Sequence, residues 1–157
     1  MAKLLLYLDS SVWNAYFDDH VPDIQAHTRA FFERIKKEPE VVAHVSDVVF
    51  QEMAKAPQDR KTKLVSLIGE IQPARLELDD EAGSLADAYI QHGVLRMGHL
   101  LDARHVAIAT VSKVGILVSW NYRHLVNRRR REAFNGVNAI LGYPPIEILS
   151  PPEVFDE

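Results

Sequence analysis

Near its start the chain reads "LLLYLDSS", a run of strand-forming apolar residues that stops at an acid and two serines. A strand apolar at successive positions is buried on both faces, which points to a parallel sheet covered by helices rather than a sheet with one wet side. The acid that ends the run, Asp9, cannot stay charged in a dry core. Its carboxylate must reach solvent, a cation or a row of backbone donors. Asp9 is therefore either a helix cap or part of a site.

The rest of the chain repeats the same alternation. "DIQAHTRAFFERIKKEPE", from Asp23, has apolar residues at Ile24, Phe31, Phe32 and Ile35 and ends near Pro39, as an amphipathic helix does. "EVVAHV" is a second buried strand, and Ser46 is placed to cap the helix "DVVFQEMAKA", which stops near Pro57. The helix "QDRKTKLVSLIGEI", the short strand "ARLEL" and the helix "DDEAGSLADAYIQHG" follow, the last with two acids in its first turn and Gly93 at its end. Next come the apolar helix "LLDARHVAIATVSKV", the strand "GILVSW", the helix "REAFNGVNAILG" and an edge strand, "PIEILSP", bracketed by prolines. Alternating strands and helices predict an α/β fold, a three-layer α/β/α sandwich around a central, mainly parallel sheet. No repeat or linker divides residues 1–157, a length suited to one domain.

Composition narrows the chemistry. The absence of cysteine excludes disulfides, thiolate zinc sites and cysteine nucleophiles, so any metal is held by oxygen or imidazole. Eighteen basic against 22 acidic residues leave a net charge of -4, so nucleic-acid binding would need a local patch. The candidate patch is Arg128, Arg129, Arg130 and Arg131, whose bland reading is a solvated helix start. The seven histidines show no paired-ligand spacing, and single ones such as His44 and His105 read as structural or surface side chains. The first apolar run is too short for a signal segment or a membrane span, which predicts a soluble, cytoplasmic protein.

In a sheet of this kind ligands bind outside the carboxyl ends of the strands. Asp9 lies at such an end, and "GILVSW" delivers Asn121 to the same edge. Glu52 and Asp102 sit among apolar neighbours on helices that can join them. Each has a plain structural reading: a cap for Asp9, the polar edge of a helix for Glu52, a macrodipole partner for Asp102 and a turn residue for Asn121. Convergence of all four on one edge favours a cation. Hard oxygen ligands suit Mg2+ or Mn2+, and such ions support phosphodiester hydrolysis.

The order "YLDSSVW", "VSDVVFQEM", "LLDARHVAIAT" and "LVSWNYRHLVN" resembles the PIN-domain nucleases, in particular the VapC-type toxins of toxin–antitoxin pairs. The resemblance spans essentially the whole chain. It implies that Asp9, Glu52 and Asp102 match the family's acids and that Asn121 stands where a fourth acid is common. Ser10 or Ser11 matches the hydroxyl residue after the first acid. What the resemblance implies is a Mg2+- or Mn2+-dependent endoribonuclease acting on RNA, homodimeric, and silenced by a cognate antitoxin. Asp9, Glu52, Asp102 and Asn121 are then the catalytic, metal-holding set, with Ser11 and His124 orienting them. Arg128 to Arg131 would meet RNA phosphates or an acidic partner. Asn121 leaves three formal negative charges instead of four, which puts a second metal in question.

Two other readings use the same residues. A phosphatase of doubly wound fold also places an aspartate after its first strand, as a covalent nucleophile, but "LDSS" lacks the second acid two residues on. A non-catalytic interaction module that keeps the fold and binds RNA or protein is the other, with Asn121 as its only hint.

Overall fold

The computed structural model describes residues 2–155. Strand β1 (Leu4–Leu8) runs into the short helix α1 (Ser10–Ala15), and helix α2 (Pro22–Lys37) leads to β2 (Val41–Ser46). Helices α3 (Asp47–Met53) and α4 (Gln58–Ile71) precede β3 (Ala74–Leu76). Then follow α5 (Asp80–Gln91), a 3-10 turn (Met97–His99), α6 (Leu100–Val111) and β4 (Ile116–Val118). Helix α7 (Arg128–Leu141), β5 (Glu147–Leu149) and the short α8 (Pro151–Val154) close the chain.

The five strands form one sheet in the order β3-β2-β1-β4-β5, and every pairing is parallel. The longest strands, β1 and β2, sit inside, and the margins are strands of three residues each. Alternation of side chains along the strands feeds two cores. Leu6, Leu8, Val41, Ala43, Val45 and Val118 point toward α1, α2 and α4, where Trp13, Phe31, Phe32 and Leu64 lie. On the opposite face Tyr7, Leu117 and Ile148 meet α5, α6 and α7 through Leu85, Tyr89, Val106 and Phe134. This is the three-layer α/β/α arrangement that the apolar strands require.

Element limits differ from the sequence expectation where capping chemistry outweighs periodicity. Helix α3 ends at Met53 rather than running to Ala56, because Pro57 disfavours helical backbone just before it. Helix α7 begins three residues early, at Arg128, because the Asn127 side chain accepts from the Arg130 N–H at 2.9 Å and caps it. The arginine run thus forms the first turn of α7. The proline after "ILS" begins helix α8, with Ser150 and Glu153 in a reciprocal capping box.

Chain order reverses beside β1: β2 and β3 extend the sheet to one side, and β4 and β5 to the other. The crevice at the carboxyl ends of β1 and β4 is the topological switch point, where α/β sheets place their ligands. Asp9 follows β1 there, and Ser119 to Asn121 follow β4.

Trp13 anchors the floor of this region. It is fully buried, its ring centroid lies 5.2 Å from that of Phe32, and its indole N–H donates to the Leu8 carbonyl at 3.3 Å. Trp13→Ala is expected to destabilise the protein by about 3–5 kcal/mol, read from urea unfolding midpoints, because it opens a cavity in the core and removes that hydrogen bond.

Candidate functional site

Asp9 is both cap and cluster member. It is 3% exposed, and its Oδ1 accepts from the Ser11 N–H at 3.0 Å, the Val12 N–H at 3.3 Å and the Ser11 hydroxyl at 2.5 Å. Its Oδ2 accepts from the Ser119 hydroxyl at 2.6 Å. Two serines therefore stitch the end of β1 to the end of β4, and the Trp120 N–H adds a bond to the Ser11 hydroxyl at 2.9 Å. Burial nevertheless raises the Asp9 pKa, with nearby Asp102 adding to the effect against the opposing pull of His105 and the two serines.

Glu52 leans in from α3. Its Oε1 accepts from the Ser10 hydroxyl and from the Nε2–H of His105, both at 2.6 Å. Burial works to raise its pKa, but the hydrogen bond and charge of His105, with Ser10, outweigh it and leave the pKa lowered. His105 is 1% exposed on α6, and its Nδ1 lies 2.6 Å from the Tyr7 hydroxyl, which lies 2.6 Å from the Ser46 hydroxyl. Burial alone would lower the His105 pKa. The hydrogen bond to Glu52 and the charges of Asp9, Glu52 and Asp102 raise it instead. A protonated imidazole donates at both nitrogens, so the Tyr7 hydroxyl accepts from it and in turn donates its own hydrogen bond to Ser46.

Asp102, in the first turn of α6, faces the same crevice and is half-buried. Burial raises its pKa, His105 opposes that, and Glu52 reinforces it. Its Oδ2 accepts from the Asn121 amide at 3.3 Å and lies 3.9 Å from Nδ1 of His99. Asn121 turns its own carbonyl toward the following loop, where Oδ1 accepts from the His124 N–H at 3.0 Å. The amide thus tethers Asp102 to the loop that carries His124.

Among the described residues, two groups of three titratable ligands bring their ligand atoms within 4.8 Å of one another: His99, Asp102 and His124, and the loop set Asp18, Asp19 and His20. Asp9, Glu52 and Asp102 are not such a group. Oxygens bound directly to one Mg2+ at about 2.0–2.1 Å stand at most about 4.2 Å apart. In this geometry the three acids would not all bind one ion directly. The donor set still fits a hard cation, since Asp9 and Asp102, whose pKa values burial raises, have no positive charge in direct contact with them among the described residues.

Of the four arginines, Arg128 pairs with Glu132 at 3.0 Å, and Arg131 donates to the Ile148 carbonyl at 2.8 Å and approaches Glu153. Arg129 and Arg130 line a groove of about 710 Å3 together with Arg96, Arg123, His99 and His124, and Arg130 also donates to the Val94 carbonyl. This groove opens beside Asp102, through His99. Burial, with His99, Arg130 and Arg123 nearby, lowers the His124 pKa.

His105 is a correction to its reading as an isolated structural or surface histidine, because it bridges β1 and Glu52 at the centre of the cluster. His44 fits that reading, with Nδ1 3.1 Å from the carbonyl oxygens of Leu6 and Val42. Ser119 and His99 also escaped the sequence reading, whereas Ser10 and Ser11, both matched to the hydroxyl residue after the first acid, each bond a site carboxylate. The one signal for the two that escaped was proximity, Ser119 two residues before Asn121 and His99 three before Asp102.

No family model matches the chain, and no curated relative does. Among solved structures it is similar to VapC20 of Mycobacterium tuberculosis, a Sarcin-Ricin loop cleaving toxin. The identity is 13%, over 71% of this chain and 86% of that one, with a TM-score of 0.56. It is also similar to VapBC2 of Rickettsia felis, solved bound to a DNA fragment from its promoter, at 10% identity over 92% of this chain and 97% of that one, with a TM-score of 0.54. At these identities the likeness is one of fold. The chain has a PIN-like α/β fold similar to that of VapC-type structures, as its motifs implied.

The Glu52–His105 pair sets a pH dependence. Because the His105 pKa is raised on folding, its stabilisation is complete below the ordinary imidazole value and is lost as pH rises through the folded value. Glu52 behaves oppositely, losing its contribution as pH falls through its lowered pKa. In EDTA the melting temperature is expected to fall more steeply on the alkaline side in the wild type than in Glu52→Gln, where His105 loses its main partner. Each kcal/mol between the two profiles should appear as about 2–4 °C; parallel profiles would mean that the pair does not form.

Proposed function

We propose that the chain is a single metal-dependent endoribonuclease domain, the toxin of a toxin–antitoxin pair. The observation that supports this reading most is the crowding of Asp9, Asp102 and Glu52 at the switch point of a PIN-like sheet, with one buried imidazole, His105, as their only buried cationic neighbour among the described residues. Three crowded acids at such a crevice, two of them with raised pKa, favour a divalent cation over a bare protein site.

In this proposal Asp9, Glu52 and Asp102 would hold Mg2+ or Mn2+, with Asn121 contributing directly or through water. The bound ion supplies an activated water and offsets charge on the phosphoryl oxygens. The chain supplies position. Ser11 and Ser119 fix both oxygens of Asp9, while Ser10 and His105 hold Oε1 of Glu52. His105 is a positioning residue, since it reaches the reacting centre only through Glu52. His124 orients the loop through its backbone bond to Asn121.

RNA is the proposed substrate, with Arg129 and Arg130 as the members of the arginine run that line the groove toward its phosphates. Arg128 and Arg131 serve the fold or a cognate antitoxin. We also propose a homodimer acting in the cytoplasm; no helix among the described residues is long and apolar enough to cross a membrane.

Purified protein freed of partners is expected to cleave single-stranded RNA with Mg2+ or Mn2+ and to stop in excess EDTA. Asp9→Asn should lower the rate by about a hundredfold or more. Cleavage that persists in chelator would remove the metal from the reading, and full activity in Asp9→Asn would remove that residue. Replacing Arg129 and Arg130 with alanine should weaken RNA binding and flatten the slope of log affinity against log salt by about 0.7 for each phosphate no longer neutralised. An unchanged slope in a salt titration would leave both as solvated charges.

A further inference from the structure

The loop after β4 and the turn before α6 bring two imidazoles against one carboxylate. The rings of His99 and His124 lie with centroids 3.8 Å apart, tilted by 30°, and the ligand atoms of His99, Asp102 and His124 all fall within 4.8 Å of one another. Among the described residues no side chain hydrogen-bonds either ring, and the nearest polar approach is the 3.9 Å between His99 Nδ1 and Asp102 Oδ2. Two half-exposed aromatic amines with their lone pairs unused, held beside a half-buried acid, make an unusual surface feature.

We infer that His99, Asp102 and His124 form a binding site for a zinc-class transition-metal ion, distinct from the oxygen-lined hard-cation site and joined to it through Asp102. Three features support it. Two imidazoles with one carboxylate match the ligand preference of Zn2+ and Co2+, whereas Mg2+ takes oxygen and keeps its waters. The geometry is near what is needed, because N and O ligands on one Zn2+ at about 2.0–2.1 Å stand about 3.4 Å apart, so His99 and Asp102 have to close by about half an ångström, and His124 lies within 4.8 Å of both. The third is support around the ligands. Asn121 holds Asp102 with its amide N–H and holds the His124 backbone with its carbonyl, so one side chain sets two of the three ligands.

Charge decides where the ion's remaining positions face. Arg123 and Arg130 line the groove together with His99 and His124, while Asp102 also lies within reach of the Glu52 charge. The ion is therefore drawn to the acid side and leaves its open positions toward the arginine-lined groove, where water or an anion completes the shell. Asn121 in this scheme is a positioning residue for the imidazole site. The inference stands on these side chains alone and does not need the nuclease reading.

Co2+ alone is the probe, titrated into chelator-treated full-length protein and followed by visible absorption and calorimetry. The wild type is expected to bind one equivalent with the intense absorption of a four- or five-coordinate ion, competed away by Zn2+ but not by Mg2+. The double variant His99→Ala, His124→Ala should lose that band and bind Co2+ at least about tenfold more weakly, while Asp9→Asn keeps both. Circular dichroism and melting in EDTA establish that the variants are folded, and His99→Gln and His124→Gln singly give the same comparison with ring volume largely kept. Equal Co2+ affinity and spectrum in the wild type and the histidine variants, or loss of the band in Asp9→Asn, would overturn the assignment. RNA cleavage does not enter the readout, so failure of the nuclease reading and failure of this one are separately visible.

Discussion

The bond from the Ser119 hydroxyl to the Asp9 carboxylate joins residues 110 positions apart, and the crevice depends on it. A parallel sheet delivers its strands to one edge but leaves their ends unlinked, because each chain turns away into a helix. Here the acid that caps α1 also accepts from the end of β4, and the Ser11 hydroxyl doubles the stitch by accepting from the Trp120 N–H. Capping alone is worth about 1 kcal/mol. The cross-strand bond adds register, since it fixes how far β4 projects and hence where Asn121 and its loop begin.

Around that stitch the charges are unequal. Asp9, Glu52 and Asp102 face a single buried imidazole, and only Glu52 is in direct contact with it. The opposite shifts of Glu52 and the other two acids follow from this asymmetry: the carboxylate that owns the proton donor is held ionised, and the two that lack it are pushed toward the neutral form. Tyr7, whose pKa is raised by burial, stays protonated and carries the chain of hydrogen bonds down to Ser46 at the cap of α3. One relay therefore fixes β1, β2, α3 and α6 relative to one another.

Much of the fold was legible because burial writes itself into local pattern. "LLLYL" and "EVVAHV" are apolar at too many successive positions to be anything but covered strands, and the acids that interrupt apolar helices stand out against their neighbours. What was not legible depends on which helix face meets the sheet. His105 lies three residues past Asp102, on a helix apolar nearly all round, so its period does not say which side faces the acids. The start of α7 hid behind four arginines because the signal lay in Asn127, just before them. Asn121 drew attention as a candidate ligand, but its hydrogen bonds, one to Asp102 and one from the loop, arise only once β4 and α6 are side by side.

The sheet's margins carry a consequence for how copies of this chain meet. Both outer strands, β3 and β5, are three residues long, so a neighbour adding itself to either edge would find a ladder of very few backbone bonds. Growth by strand addition, the usual hazard of an exposed parallel sheet, is thereby blunted at both ends. With so little backbone on offer at the margins, most of the surface a partner could meet is helical, where side-chain identity rather than generic backbone would set the choice.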